Sequence, residues 1–226
     1  MGQRFFITGT DTEIGKTTIA AALLHAARLQ GLSTAAVKPV AAGCDDTADG
    51  LRNEDALALQ AECVPPLEYA LINPVALAPP IAPHLAAREA GVELTVGALA
   101  QACRRVFEGD ADLTVVEGAG GWRVPLNDTE TLADLAIALQ VPVIMVVGLR
   151  LGCINHALLT AEAIAADGLQ LAGWVANQVD LQMERQQPNL ETLKALLKAP
   201  CLGVVPRIDE VSAAAVASYL DLQQLG

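Results

Sequence analysis

Basic residues are scarce in this chain. Only 14 lysines and arginines face 26 aspartates and glutamates, a formal net charge of -12 at pH 7. Nucleic-acid phosphates and anionic lipid surfaces are therefore poor partners. Aromatic residues are equally sparse: three Phe, two Trp and two Tyr, scattered, provide no platform on which bases could stack. The five cysteines (Cys44, Cys63, Cys103, Cys153, Cys201) are odd in number, widely spaced and never in a CxxC pair. That argues against a disulfide framework and a zinc site, and a reducing cytosol is the expected setting. After Met1 the chain enters a strand-like run, with no basic segment, apolar stretch and cleavage site in succession, so export is not expected. The longest apolar run, Leu135 to Leu149, is interrupted by Gln140 and Pro142. It reads as a helix end followed by a buried strand, not a membrane span.

The 226 residues are 53% hydrophobic, enough to bury a substantial core, and a single domain over 1–226 is expected. Short apolar runs recur: FFIT from Phe5, TAAVK from Thr34, LTVVEG from Leu113, VIMVVG from Val143, LAGWVAN from Leu171 and CLGVV from Cys201. They lack the period-two alternation of half-exposed strands. Helical patterns lie between them, at about Lys16–Gln30, Val96–Phe107, Thr131–Leu139, His156–Ala166 and Leu190–Lys198. The expected class is α/β, a mostly parallel sheet between two helical layers. Gly31 and Gly168 are natural helix stops. Gly43 to Gly91, with Pro65-Pro66 and LAPPIAPH, reads as loops and short helices. In such sheets ligands gather beyond the carboxyl ends of the strands, which directs attention to the residues just after each run.

The stretch GTDTEIGKTT, Gly9 to Thr18, joins the first strand to an amphipathic helix, the context in which GKT signifies a phosphate-gripping loop. Loop N–H groups would face the phosphates, Lys16 their outer oxygens, and the Thr17 hydroxyl could ligate Mg²⁺. Five residues separate Gly9 from Gly15 where the strict Walker spacing has four. Glu117 ends a buried run before Gly118-Ala119-Gly120-Gly121, where a metal-holding acid belongs, with aspartate the more usual residue. Capping a solvated strand end is the plainer alternative. Lys38, held extended by Pro39, can reach across to the phosphates or simply snorkel. Asp55 sits at a helix first turn, where acids are ordinary dipole partners. LGCINH could offer N–H groups to a carboxylate. His25, His84 and His156 show no metal or triad spacing and are taken as structural or surface residues.

Together GTDTEIGKTT, VKPVAAG, LRNEDALAL, VEGAGGW, VVGLRLGCINH and GWVAN closely resemble the dethiobiotin synthetase family, in that family's order from Phe5 to about Asn177. The resemblance implies a P-loop NTPase fold and a homodimer. It also implies a reaction: 7,8-diaminononanoate takes up CO₂ as a carbamate, ATP phosphorylates the carbamate, and the second amine closes a cyclic urea, giving dethiobiotin, ADP and phosphate. It places Glu13, Ile14, Gly15, Lys16, Thr17 and Thr18, with Gly118, Ala119 and Gly120, about the nucleotide. Asn177 and Gln178 would read adenine, with Pro206, Arg207 and Ile208 as a secondary base contact. Mg²⁺ would lie against Thr17, Asp55 and Glu117. Thr12 and Lys38 would meet the substrate, Lys38 and Lys16 stabilising the transferring phosphoryl group, and the acids of the TDTE portion, Asp11 and Glu13, would face the diamine. The substrate tail would lie on Gly152, Cys153, Ile154 and Asn155 of the partner subunit. Ala42 stands where the family often has a substrate-touching serine, and Asn189 near where some members have a tail-closing tyrosine.

The main competing function is a switch ATPase of the plasmid-partition or nitrogenase-iron-protein kind. Those carry a second lysine early in the loop, where this chain has Asp11. A small-molecule kinase would want lid arginines, and a non-catalytic nucleotide module would leave Lys38, Asp55 and Glu117 without a task.

Overall fold

The computed structural model describes residues 2–225. In chain order the elements are β1 (Gln3–Gly9), α1 (Lys16–Leu29), β2 (Thr34–Val37), β3 (Val40–Ala42), β4 (Asp45–Thr47), β5 (Gly50–Arg52), α2 (Glu54–Gln60), α3 (Tyr69–Ile72), β6 (Val75–Leu77), α4 (Pro83–Glu89), α5 (Val96–Phe107), β7 (Leu113–Glu117), α6 (Leu132–Leu139), β8 (Val143–Gly148), α7 (Cys153–Ala166), β9 (Leu171–Asn177), α8 (Gln186–Leu196), β10 (Cys201–Val205) and α9 (Ala213–Ala217). The six apolar runs form one sheet, ordered β10-β9-β8-β1-β7-β2, with every pairing parallel.

Two faces of that sheet are buried, as the unbroken apolar runs require. Phe5 and Ile7 of β1 pack with Ile19, Leu23 and Leu24 of α1, Ala56 and Leu59 of α2 and Val216 of α9. Phe6, pointing the other way, packs with Leu99 and Cys103 of α5 and Leu132 and Leu135 of α6. Register places Met145 and Val147 on the Phe6 side, where they meet Ala157 of α7 and Leu190 and Leu193 of α8. The result is the expected three-layer α/β architecture. Local chemistry agrees with it: Thr95 caps α5 by accepting from Ala98 N at 3.2 Å, and Thr131 with Asp134 forms a reciprocal capping box on α6. Gly31 and Gly168 follow α1 and α7 at φ 80° and 77°, the left-handed conformation of a helix stop. Among the described residues no helix is long and apolar enough to cross a membrane.

Three expectations need correction. α7 begins at Cys153 rather than His156, because Gly152 at φ 94° supplies the turn that lets the helix start early. α8 begins at Gln186 rather than Leu190, its polar first turn including Pro188, a residue whose missing N–H costs nothing there. The span from Gly43 to Gly91 does contain short helices. With its immediate approach it also forms two small sheets, parallel β3-β6 and the β4-β5 hairpin, too short to show a pattern of their own.

Trp174 of β9 is fully buried against α8, and its indole N–H donates to Ala199 O at 3.2 Å. Trp174→Ala is expected to lower unfolding free energy by about 3–5 kcal/mol, measured by urea denaturation. A loss below about 1 kcal/mol would mean that α8 is not clamped to the sheet through this ring.

Candidate functional site

The carboxyl ends of β1, β7 and the β2 exit meet in one cleft of about 700 Å³, walled by Thr12, Lys16, Thr17, Lys38, Asp55 and Glu117 on its polar side. The loop after β1 turns under it. Glu13 takes φ 57° and Gly15 φ 86°, and Lys16 opens α1. The left-handed φ of Gly15 favours glycine, and a Cβ there would stand 2.4 Å from Asn177 Nδ2 and push that amide aside.

Glu117 is the centre of the polar wall. It closes β7, a strand buried at all five positions, and is itself only 1% exposed. Its Oε1 accepts from the Thr17 hydroxyl at 2.8 Å and from Lys38 Nζ at 2.7 Å. Lys38 Nζ also reaches Asp55 Oδ2 at 2.7 Å. Three segments far apart in sequence thus meet at one ammonium. Burial acts to lower the Lys38 pKa, but attraction to Glu117 and Asp55, with hydrogen bonds to both, raises it above the ordinary lysine value. Burial acts to raise that of Asp55, and Lys38 more than offsets it, leaving the carboxylate below its usual range. Lys16 lacks a direct carboxylate contact and donates to Asp11 O at 3.0 Å. Burial, only partly countered by Glu117, pushes it down to about 8. Glu117 is therefore no solvated strand-end cap.

Glu117 Oε2 is buried without a hydrogen-bond partner. An orphaned carboxylate oxygen beside a hydroxyl and a second carboxylate is a donor set of the kind hard, oxygen-preferring Mg²⁺ takes. Among the described residues no group of three or more His, Cys, Asp or Glu could hold a metal, so such a site would depend on Thr17 and on substrate oxygens as well.

A second lobe of about 210 Å³ shares Glu13, Gly15 and Thr18 with the main cleft and is lined by Asn177, Gln178, Pro206, Arg207 and Ile208. Asn177 ends β9 and donates to Ile14 O at 2.9 Å, bracing the loop from beneath. Of the remaining anticipated residues, Ala42, Ala119 and Gly120 line the main cleft. Gly118 does not, because its N–H extends the sheet by donating to Ile7 O at 3.0 Å. Ile14 is buried beneath the loop. Gly152, Cys153, Ile154 and Asn155 form the start of α7, away from both lobes of the same chain.

Asp11 requires correction. It lines neither lobe: its carboxylate is engaged by Arg150 and accepts from Thr12 N at 2.8 Å. Its carboxylate tethers the loop to the segment between β8 and α7, while of the TDTE residues only Thr12 and Glu13 line the cleft. Arg150 lies within the quoted LGCINH neighbourhood but carries no local signal, since its partner is 139 positions away. The LAPPIAPH segment is likewise more than a connection, for Pro80, Ile81, Ala82 and Pro83 give the cleft an apolar wall.

Comparison with known proteins adds three findings. A family model described as "AAA domain" matches residues 3–215. The ATP-dependent dethiobiotin synthetase BioD of Pseudomonas aeruginosa (strain UCBPP-PA14) is 66% identical over 222 residues, covering 98% of this chain and 97% of that protein. The protein of the same name from Cellvibrio japonicus (strain Ueda107) is 58% identical, with 98% and 96% covered. Among solved structures, the septum site-determining protein MinD from Pyrococcus horikoshii, at 15% identity, superimposes with a TM-score of 0.59 over 99% of this chain and 89% of its own. A ParA family ATPase from Chlorobium tepidum, at 13% identity, gives 0.58 over 100% and 95%. These two establish the P-loop NTPase fold alone. The end-to-end identity to the synthetases is of a different order, and by it this chain belongs to the dethiobiotin synthetase family.

Proposed function

We propose that the chain is an ATP- and Mg²⁺-dependent dethiobiotin synthetase, acting as one domain over 1–226 in the cytoplasm and as a homodimer. The observation that carries this is the convergence of Thr17 and Lys38 on buried Glu117, with Asp55 joined to it through Lys38, in a cleft that also has an apolar wall. Phosphate chemistry needs the first wall, and an aliphatic diamino acid needs the second. The relatives, ATP-dependent dethiobiotin synthetases by name, point to the nucleotide and the product.

In this reading the two lobes divide the substrates. ATP places its base against Asn177, Gln178 and Pro206–Ile208 and its triphosphate along the loop from Glu13 to Thr18, with Ala119 and Gly120 opposite. The loop N–H groups and the α1 N-terminus hold the anion. Mg²⁺ held by Thr17, Asp55 and Glu117 would neutralise charge on the outer phosphates. The diamine lies in the main lobe between Thr12, Lys38, Ala42 and the proline wall, its tail carboxylate on Gly152, Cys153, Ile154 and Asn155 of a second copy of this chain. Ala42 donates no side-chain hydrogen bond, so backbone groups or water meet the substrate there.

One amine adds to CO₂ and loses a proton, and Glu13, exposed and lining both lobes, would take it. Thr12 orients the carbamate, whose oxygen displaces ADP from the γ-phosphorus. Lys38 and Lys16 stabilise the negative charge gathered on the transferring phosphoryl group, in a site where burial makes each charge count more than in water. The second amine then attacks the carbamate carbon, the carbon–oxygen bond to phosphate breaks, and the ring closes as a urea. Partner-switch ATPases share the fold, but Asp11, fastened to Arg150, occupies the place of their additional lysine.

Lys16→Gln is expected to lower dethiobiotin formation at least about 100-fold while leaving far-ultraviolet circular dichroism unchanged. Near-native turnover by the folded variant would remove Lys16 from the phosphate site. Glu117→Gln and Asp55→Asn should each raise the Mg²⁺ concentration for half-maximal rate about tenfold, since each takes a charged oxygen from the metal's surroundings; superposable Mg²⁺ titrations would count against both assignments. Oxygen tracing tests the chemistry itself. With ¹⁸O-labelled CO₂ in ordinary water, assayed before exchange dilutes the label, phosphate should carry one labelled oxygen in step with dethiobiotin. Phosphate labelled only from ¹⁸O-water would overturn the synthetase reading in favour of simple hydrolysis.

A further inference from the structure

Lys38 is fixed at its backbone as well as at its ammonium. Its N–H donates to Ile72 O at 2.7 Å, and its carbonyl accepts from Asn73 Nδ2 at 2.8 Å. Pro39 follows, so the next residue has no N–H with which to anchor the turn. Asn73 is 4% exposed and its amide is fully occupied: Nδ2 also donates to Val75 O at 3.1 Å, and Oδ1 accepts from the Tyr69 hydroxyl at 3.1 Å. That hydroxyl in turn accepts from Asn53 N at 2.8 Å. Asn53 is the cap of α2, its side chain accepting from Ala56 N at 3.2 Å, and Asp55 stands two residues further on.

A chain of hydrogen bonds therefore runs from the backbone of Lys38, through Asn73 and Tyr69, to the backbone that launches Asp55. We infer that Tyr69 and Asn73 are positioning residues, which set the distance and direction between the Lys38 ammonium and the Asp55 carboxylate and so hold open the geometry in which metal and phosphate are received. Neither side chain lines the cleft. The Lys38–Asp55 contact spans 2.7 Å between a buried group and a half-exposed one. The exposed partner is the one that drifts unless its helix start is pinned. Without the hydroxyl, Asn53 N–H loses its acceptor and Asn73 its donor, leaving two polar groups unsatisfied if both stay dry. Relaxation of α2 is the alternative to that cost, and Asp55 moves with it. A displacement of about 1 Å is enough for roughly 100-fold in rate when charge must be met in place.

The Arg52 guanidinium lies over the Tyr69 ring at 4.3 Å without taking part in the relay, and provides the control. This inference rests on the synthetase reading for its kinetic arm only. Tyr69→Phe, Asn73→Ser and Arg52→Ala would be compared with the native chain in two assays: the Mg²⁺ concentration that half-completes the thermal shift produced by ATP, and steady-state turnover. Tyr69→Phe and Asn73→Ser should raise the Mg²⁺ midpoint about three- to tenfold and lower kcat about tenfold, with KM for ATP within about twofold of native. Arg52→Ala should follow the native Mg²⁺ curve and kcat even where its Tm falls. Tyr69→Phe, which keeps the ring, carries the test alone if Asn73→Ser does not fold. A Mg²⁺ midpoint for Tyr69→Phe matching the native chain, or an equal shift in Arg52→Ala, overturns the relay. A native chain that shows the thermal shift but no diamine-dependent turnover would instead refute the synthetase reading, while the Mg²⁺ midpoints still decide the relay.

Discussion

A carboxylate buried at the end of an apolar strand is the constraint around which this molecule is arranged. Glu117 has lost nearly all its water, and an ionised group so placed is tolerated only with close partners. The partners come from three directions: Thr17 from the start of α1, Lys38 from the exit of β2 and, through Lys38, Asp55 from α2. Each requires a backbone turn that the sequence must supply. Gly15 supplies the first, Pro39 the second and the Asn53 cap the third. The parallel sheet makes the convergence possible, because it delivers β1, β2 and β7 side by side with their carboxyl ends together.

This arrangement also sets the two lysines apart. Both are buried, yet one is drawn toward permanent charge by two carboxylates while the other is pushed toward neutrality by desolvation. Lys38 is a fixed cation neutralised within the protein. Lys16, resting on the Asp11 carbonyl, has much of its charge uncompensated, which suits a group whose natural counter-ion is a phosphate oxygen.

Much of this was legible from residue order. Continuous apolar runs without alternation announced strands buried on both faces, and the strand-loop-helix context of Gly15-Lys16-Thr17 identified the anion loop. Lys38, Asp55 and Glu117 could be named because each follows or opens an element at the carboxyl edge. What escaped has a common cause. Arg150 meeting Asp11, the β3-β6 pairing and the bonds of Tyr69 to Asn53 and of Asn73 to Lys38 join distant positions, while the β4-β5 hairpin is too short to show a pattern, and none leaves a periodic trace. Asp11 illustrates the hazard. The family resemblance implied an amine-facing acid, whereas in space Asp11 is engaged by Arg150 and lines neither lobe. The helix starts at Cys153 and Gln186 were missed for a narrower reason, since polar or glycine-led first turns lie outside the hydrophobic pattern.

The amide of Asn177 lies under Gly15 so closely that an added side chain would displace it, and it also holds the carbonyl of Ile14. One residue thus lines the smaller lobe while serving as a strut for the loop of the larger one. In evolutionary terms the position is pleiotropic: if the smaller lobe takes the base, as we propose, a substitution at Asn177 that altered base preference would also remove the bond that braces the loop. On the same reading, change in nucleotide preference has an easier route through Pro206, Arg207 and Ile208, which line that lobe and show no hydrogen bond to the loop among the described residues.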